Sequence, residues 1–278
     1  MGAPITFNTA LPVAEGEFVL REQFFFIKSS DDPSPADRDV EVIGGLSVLA
    51  YGVTGDLALF GALPVLDKSL ELDTPEGRIE RGDTGIGDVR LFGRYTVFQD
   101  DAPGRNFRIA PFVGLELPTG DDDEHDGLGR LPQPLQLGSG SWDPFFGVVG
   151  TWQTLDYQID AQASYQVNTE ANNFEFGDVL SFDASLQYRL WPRELGPGVP
   201  GFLYGVVEAN LIHRGKNEID GRNDPDSGGT SLFLDPGLQY VTRRWVLEAI
   251  VQLPAIQDLN GDALKDDYVV RAGFRFNF

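Results

Sequence analysis

The chain has 278 residues, 41% of them hydrophobic and 23% charged, which is too apolar a balance for a disordered chain and enough length for one large domain or two ordinary ones. Its net charge of −22 disfavours a nucleic-acid partner, because phosphate binding needs a basic face. There is no cysteine, so disulfide and thiolate chemistry are excluded, and no run approaches the ~18 apolar residues of a spanning helix. A membrane strand needs only ~9–11 residues, half of them apolar, so the mean hydropathy of −0.18 leaves a membrane barrel open.

The opening "MGAPITFNTA" has neither the basic start nor the apolar core of a signal peptide. An exported chain is therefore expected here in mature form with an added Met. Residues 1–16 mix apolar and polar types and hold two prolines. They predict a separate N-terminal segment, periplasmic or lumenal, that either tucks into a lumen as a small plug or lies disordered. Residues 17–278 then form one domain. Alternating segments follow at about 17–29, 39–51, 57–68, 86–98, 107–118, 142–153, 157–168, 177–190, 202–213, 230–241, 245–254 and 267–278. In 157–167, Tyr157, Ile159, Ala161, Ala163, Tyr165 and Val167 share one face, and Gln158, Asp160, Gln162, Ser164 and Gln166 the other. In 245–253, Trp245, Leu247, Ala249, Val251 and Leu253 oppose Glu248 and Gln252.

The connectors alternate as well. "YGVTGD", "TLD" and "VTRR" are tight, whereas "KSLELDTPEGRIERGD", "PTGDDDEHDGLGRLPQPLQLGSGS" and "RGKNEIDGRNDPDSGG" are long and polar. Short turns on one side and long loops on the other are the pattern of an outer-membrane barrel. In hydrocarbon no backbone N–H or C=O can stay unpaired, so the sheet must close on itself. A soluble β-sandwich would bury the apolar faces in a shared core instead, and alternation alone does not separate the two. Loop asymmetry, aromatic residues at strand ends and polar opposite faces predict an all-β fold: a closed antiparallel transmembrane β-barrel of about twelve strands in the Gram-negative outer membrane. Long loops lie outside, and short turns and both termini inside.

Strand parity directs Asp88, Arg90, Phe92, Arg94, Arg108, Phe112, Glu116, Asp143, Phe145, Asp160, Asp183, Gln187, Arg189, Glu208, Asn210, Phe233, Asp235, Gln239, Glu248, Arg271 and Arg275 inward. A lumen of twelve strands is wider than side chains fill in ~8-strand barrels. These groups either brace the wall through ion pairs or set the constriction of a polar channel. Arg90, Arg94 and Arg108 predict a basic ladder, with Asp143, Asp160 and Asp183 as an opposing acidic wall. The inward phenylalanines offer apolar contact to an aromatic solute or simply fill the wall.

The long loops are acidic. Asp121, Asp122, Asp123, Glu124 and Asp126 put five acids within six residues, which predicts a negative mouth that favours cations. The same acids could bridge divalent cations to anionic lipid head groups. Asp258, Asn260 and Asp262 occupy positions 1, 3 and 5 of a calcium-like loop, but Ala263 replaces the Gly of position 6 and Val269 the Glu of position 12. A bound Ca²⁺ there competes with a solvated acidic turn, and no other cofactor is expected. His213 has outward parity near the outer rim, where a barrel lipase would place its base. Ser231 has inward parity, and no GxSxG occurs, so an enzyme is not expected.

"SVLAYGVTGDLALFGALPVLDKS", "GIGDVRLFGRYTVFQDDAPGRNFRIAPFVGLELPTGD" and "LQLGSGSWDPFFGVVG" together resemble the outer-membrane transporter family named for the meta-pathway of phenol degradation. The likeness runs from about Leu11 to Phe278, and "LPTGD" followed by "LGSGSWD" is its most specific part. It implies a porin-like channel for transport of small, often aromatic, molecules across the outer membrane. The alternatives are a lipid-modifying enzyme and a structural barrel with a filled lumen. The terminal strand, alternating through Phe274 and Phe276 to Phe278, also resembles the signal read by the barrel assembly machinery. Expected partners are thus outer-membrane lipid and lipopolysaccharide, that machinery and a small-molecule solute, with the barrel a monomer.

Overall fold

The computed structural model describes residues 2–194, 198 and 201–278. Met1, the first residue of the expected N-terminal segment, lies outside the described residues. Twelve strands form the barrel: β1 (Phe18–Ser29), β2 (Asp39–Gly52), β3 (Leu57–Thr74), β4 (Val89–Tyr95), β5 (Arg105–Leu117), β6 (Asp143–Thr154), β7 (Tyr157–Gln166), β8 (Val179–Trp191), β9 (Phe202–Arg214), β10 (Gly229–Val241), β11 (Trp245–Leu259) and β12 (Tyr268–Asn277). Each pairs antiparallel with its sequence neighbours, and β12 returns to β1, so the sheet has no edge. The ends of the chain seal that seam. Phe18 and Phe278 exchange backbone hydrogen bonds of 2.8 and 3.0 Å, and their rings stack at 5.7 Å.

The two faces of the wall are inverted relative to a water-soluble protein. Outside, Phe24, Val113, Phe182, Leu238 and Leu247 are each at least half exposed. Inside, Gln187, Glu208, Asp235 and Gln239 are fully buried. Such an apolar exterior is stable only against hydrocarbon, and the closed ladder leaves no strand edge to desolvate there. The barrel is accordingly an outer-membrane protein. Trp152, Tyr188, Trp191, Trp245 and Phe278 ring the short-turn end, and Trp142, Phe146 and Tyr268 mark the other, as amphipathic girdles do.

One connector departs from the sequence reading. "KSLELDTPEGRIERGD" is a hairpin, not a loop: β3 runs on to Thr74, and Gly77–Ile86 pairs back along it. Outside the membrane both faces of a hairpin are wet, so its sequence loses the apolar alternation that signals a strand. The chain then breaks at Gly87–Asp88 before β4, and Phe98–Ala102 continues β4 along β5 after a second break.

Candidate functional site in the barrel lumen

Residues 2–13 lie inside the barrel and make a belt along its wall. Glu208 on β9 accepts the Ile5 N–H at 2.7 Å, the Thr6 N–H at 2.9 Å and the Thr6 hydroxyl at 2.5 Å. Thr9 donates to Asp160 at 3.0 Å, and the Ala10 N–H donates to Thr151 at 2.7 Å. Arg94 reaches the Leu11 carbonyl at 2.6 Å, while Arg21 and Gln23 reach that of Ile5 at 2.5 and 3.0 Å. Gln239 and Arg275 donate to the Ala3 carbonyl at 3.0 and 2.9 Å. Apolar contacts fix the same path: Ile5 packs on Val206 and Ile250, Ala10 on Phe112 and Val149, and Val13 on Ala50 and Ala58. The wall strands already pair with each other on both sides and offer the segment no free edge, so polar wall side chains take up its backbone groups.

The wall charges divide by sector. Asp160, Asp183, Glu208 and Asp235 lie on consecutive strands β7 to β10, bound to hydroxyls, amides and the belt without an arginine partner among the described residues. On the next strand, Glu248 of β11 is shared by Arg21 at 2.6 Å and Arg275 at 2.5 Å. Arg271 donates to Gln252 at 2.7 Å and to Gln23 at 3.3 Å, with its guanidinium 5.3 Å from the Phe25 ring. Arg90 pairs with Glu116 across β4 and β5 and donates to Gln166. Arg108 pairs with Asp101 at 3.1 Å.

A third sector is aromatic. Phe60 and Phe92 stack with centroids 4.4 Å apart, and Phe92 meets Phe112 and Phe145 edge-on at 6.3 and 5.9 Å. Inner-face glycines make the room: a Cβ on Gly114 would collide with Phe92 and Phe145, and one on Gly147 with Phe112. The Arg94 guanidinium lies 4.8 Å from the Phe60 centroid, and that of Arg90 lies 5.2 Å from Phe145. Between the belt and these walls lies a cavity of about 920 Å³.

Three candidates have other surroundings than parity implied. Asp88 sits in the break before β4, where the backbone leaves the strand register. There it accepts the Thr119, Gly120 and Ser139 N–H groups at 2.9, 2.9 and 2.6 Å, tying down the long loop. Asp143 is buried at the outer end of β6 and accepts from Ser141 and Thr169, so it stands apart from Asp160 and Asp183. Arg189 pairs with Asp156 of a periplasmic turn at 2.5 Å, because β8 ends there. Sequence reasoning missed Arg21, Gln23 and Phe60, and it left the N-terminal segment open between a lumenal plug and disorder. Arg21 and Gln23 did carry a signal, since they alternate inward in "FVLREQFFF", but the run Phe24–Phe26 hides the period.

At the mouth, the loop 119–141 folds over the inner face of β3, with Leu131 and Leu135 packed on Leu70 and Lys68 donating to the Pro134 carbonyl at 3.2 Å. Its acids are partly neutralised: Asp126 pairs with Arg81 at 2.7 Å and Asp123 with Arg130 at 3.0 Å. The Arg81 guanidinium holds the Asp126 carboxyl below the usual carboxylate range. In the loop after β1, burial opposes the charge of Asp32, but Arg38 and Ser34 hold its carboxyl well below that range. Asn260 of the calcium-like stretch donates its amide to the Ser227 carbonyl at 2.9 Å, and Asp258 belongs to β11. Among the described residues no three His, Asp or Glu side chains gather to hold a metal. His213 contacts the Thr230 hydroxyl at 2.9 Å, and Ser231 is buried on the inner face.

None of the curated proteins matches the sequence. Among solved structures, the COG4313 outer membrane channel from Pseudomonas putida F1 is similar over 100% of both chains, at a TM-score of 0.71 and 15% identity. The beta domain of the Bordetella autotransporter Brka covers 93% of this chain and 98% of its own at a TM-score of 0.49 and 12% identity. A Pseudomonas aeruginosa FadL homologue covers 98% and 91% at a TM-score of 0.39 and 10% identity. At such identities the first of these likenesses speaks for the fold alone. The sequence itself carries the family. Residues 28–252 match the profile described as "Putative MetA-pathway of phenol degradation", and the chain belongs to that family of outer-membrane barrels.

Proposed function

We propose that the barrel is a channel for passive uptake of small solutes across the outer membrane, aromatic and hydrophobic compounds among them. The charged lumen selects and an acidic extracellular mouth precedes it. The observation that carries this reading is the cavity of about 920 Å³ inside a closed wall. Its volume matches that of small-molecule sites, about 300–1,000 Å³. Residues 2–13 narrow the lumen, so flux is expected to be modest and size-limited. The same belt favours a second reading, a structural barrel with its lumen filled. A lipid-modifying enzyme gains no support from His213, whose neighbour is a threonine rather than a serine nucleophile.

Liposome swelling and single-channel conductance of the refolded chain separate the two. Uptake predicts swelling with small solutes and a larger conductance when residues 2–13 are deleted. A folded barrel that passes nothing, with or without those residues, would establish the structural reading.

A further inference from the structure

We infer that the lumenal cavity binds small aromatic carboxylates, the ring against Phe92 and Phe145 and the carboxylate on the guanidiniums of Arg90 and Arg94. This deepens the uptake reading and rests on it for the route by which a solute arrives.

The sign of the cavity is the first argument. The chain carries a net charge of −22, yet Arg21, Arg90, Arg94, Arg108, Arg271 and Arg275 line the cavity, and Asp183 is its one carboxylate among the described residues. The other wall acids face elsewhere. Glu208 and Asp160 are fully buried under the belt, bound to Ile5, Thr6 and Thr9. Glu248 is shared between two arginines. Arg94 and Arg271 make no ion pair among the described residues, and the single hydrogen bond of Arg94 goes to the Leu11 carbonyl. A guanidinium withdrawn from water without a counter-charge costs several kcal/mol, and a bound anion offsets that cost. Planar guanidinium forks also match a carboxylate two bonds at a time.

The aromatic sector supplies the second argument. An inorganic anion or acetate would satisfy the arginines and leave the apolar half of the cavity idle. A neutral aromatic would use Phe92 and Phe145 but leave Arg94 without a counter-charge and Arg90 with Glu116 as its one carboxylate. An aromatic amine would meet like charge. Arg90 and Arg94 each lie over one phenylalanine of the same ring cluster, so cationic groups and ring edges are adjacent. One flat solute with a carboxylate at its edge spans both. Arg90 is the more open of the two, with its side chain 44% exposed toward this space.

The test is calorimetric titration of the refolded full chain in detergent with benzoate, benzyl alcohol, benzylamine and acetate. Benzoate is expected to bind at least tenfold more tightly than each of the others. Arg90→Gln should weaken benzoate about tenfold, with Arg90→Lys intermediate. Phe92→Leu should weaken benzoate while leaving acetate unchanged. Arg94 is buried, so Arg94→Gln is read only where heat-modifiable migration shows a folded barrel. Equal binding of benzoate and benzyl alcohol, or unchanged benzoate binding in folded Arg90→Gln, overturns the inference. Benzoate binding without any conductance would overturn the uptake reading and leave this site standing. Conductance without a preference for benzoate would do the reverse.

Discussion

Glu208→Gln tests how the belt is held. The carboxylate receives four hydrogen bonds: Ile5 N–H and the Ser185 hydroxyl on one oxygen, and the Thr6 N–H and hydroxyl on the other. The glutamine keeps one acceptor oxygen, and its amide nitrogen cannot accept. The Thr6 hydroxyl can turn to receive from that amide, but one backbone N–H loses a charge-assisted bond worth about 1.5–3 kcal/mol. Removing a charge from a wall that also holds Asp183 and Asp235 offsets part of this. A net loss of about 2 kcal/mol raises the undocked population of residues 2–13 about thirtyfold. The chain has no cysteine, so Ala10→Cys is a unique reporter, and Ala10 is fully buried when the belt is docked. With opening and closing fast relative to reaction, the labelling rate by a membrane-impermeant thiol reagent follows that population. It is expected to rise about thirtyfold in the Glu208→Gln background. A folded barrel with an unchanged labelling rate would show that Glu208 does not anchor the segment.

Arginine on the outer face should cost stability by depth: Val251→Arg about 2–4 kcal/mol, but Leu247→Arg only about 0–1 kcal/mol, because Leu247 is two residues from the rim residue Trp245. Urea titration of the barrel in lipid vesicles measures both, and equal costs would contradict the placement of the membrane. Deleting Phe278 should lower outer-membrane levels in cells more than it lowers refolding yield in detergent, since the residue adds only a seam pair to the barrel itself; normal cellular levels would count against an assembly role. The lowered Asp32 carboxyl stabilises the loop after β1 fully above the unfolded carboxyl value of about 3.9, and that contribution disappears as pH falls through the lower folded value. Protection factors of residues 30–38, taken relative to the intrinsic exchange rate at each pH, should therefore fall in acid for the wild type, whereas Asp32→Asn should already show low protection at neutral pH. Neutralising Asp121, Asp122 and Glu124 should remove most of the cation preference at low salt, because Asp123 and Asp126 already face arginines; an unchanged reversal potential across a salt gradient would exclude the mouth from control of permeation.

The strands were legible because lipid outside and water or belt inside impose a two-residue period on each of them. That period separates Gln162 and Glu248, which are buried, from Ala161 and Leu247, which are exposed. It failed where one of the two solvents changes. The Gly77–Ile86 hairpin leaves the membrane, and its alternation vanishes with the hydrocarbon that demanded it. Asp88 sits in a break of the strand, so parity no longer predicts its direction. Residues 2–13 were ambiguous for another reason. Several of their backbone groups are satisfied by side chains more than a hundred residues away, and no local pattern encodes a partner such as Glu208 or Thr151. Similarly, parity places an arginine inward without revealing whether an acid answers it. Arg90 and Glu116 pair across adjacent strands, whereas Arg94, four residues further on β4, finds only a carbonyl.

The opposite charges of mouth and cavity act with different strengths because their dielectric surroundings differ. At the mouth the acids stand in water, where two unit charges 10 Å apart interact by about 0.4 kcal/mol before screening. At physiological ionic strength the Debye length is about 8 Å, so a carboxylate approaching the loops meets little repulsion. The loops lower it further by pairing within and between themselves, as Arg38 does with Asp32, Arg78 with Asp37 and Lys265 with Asp31. Inside the wall, a charge 4 Å from a guanidinium feels an attraction nearer 4 kcal/mol at the effective dielectric of a protein surface. The interior attraction is therefore several times the exterior repulsion. An acidic exterior keeps the loops hydrated without closing the lumen to an anion, while the arginines facing the phenylalanines decide what stays. The charge of the whole chain is thus a poor guide to its solute, and the side chains that line the remaining space are the better one.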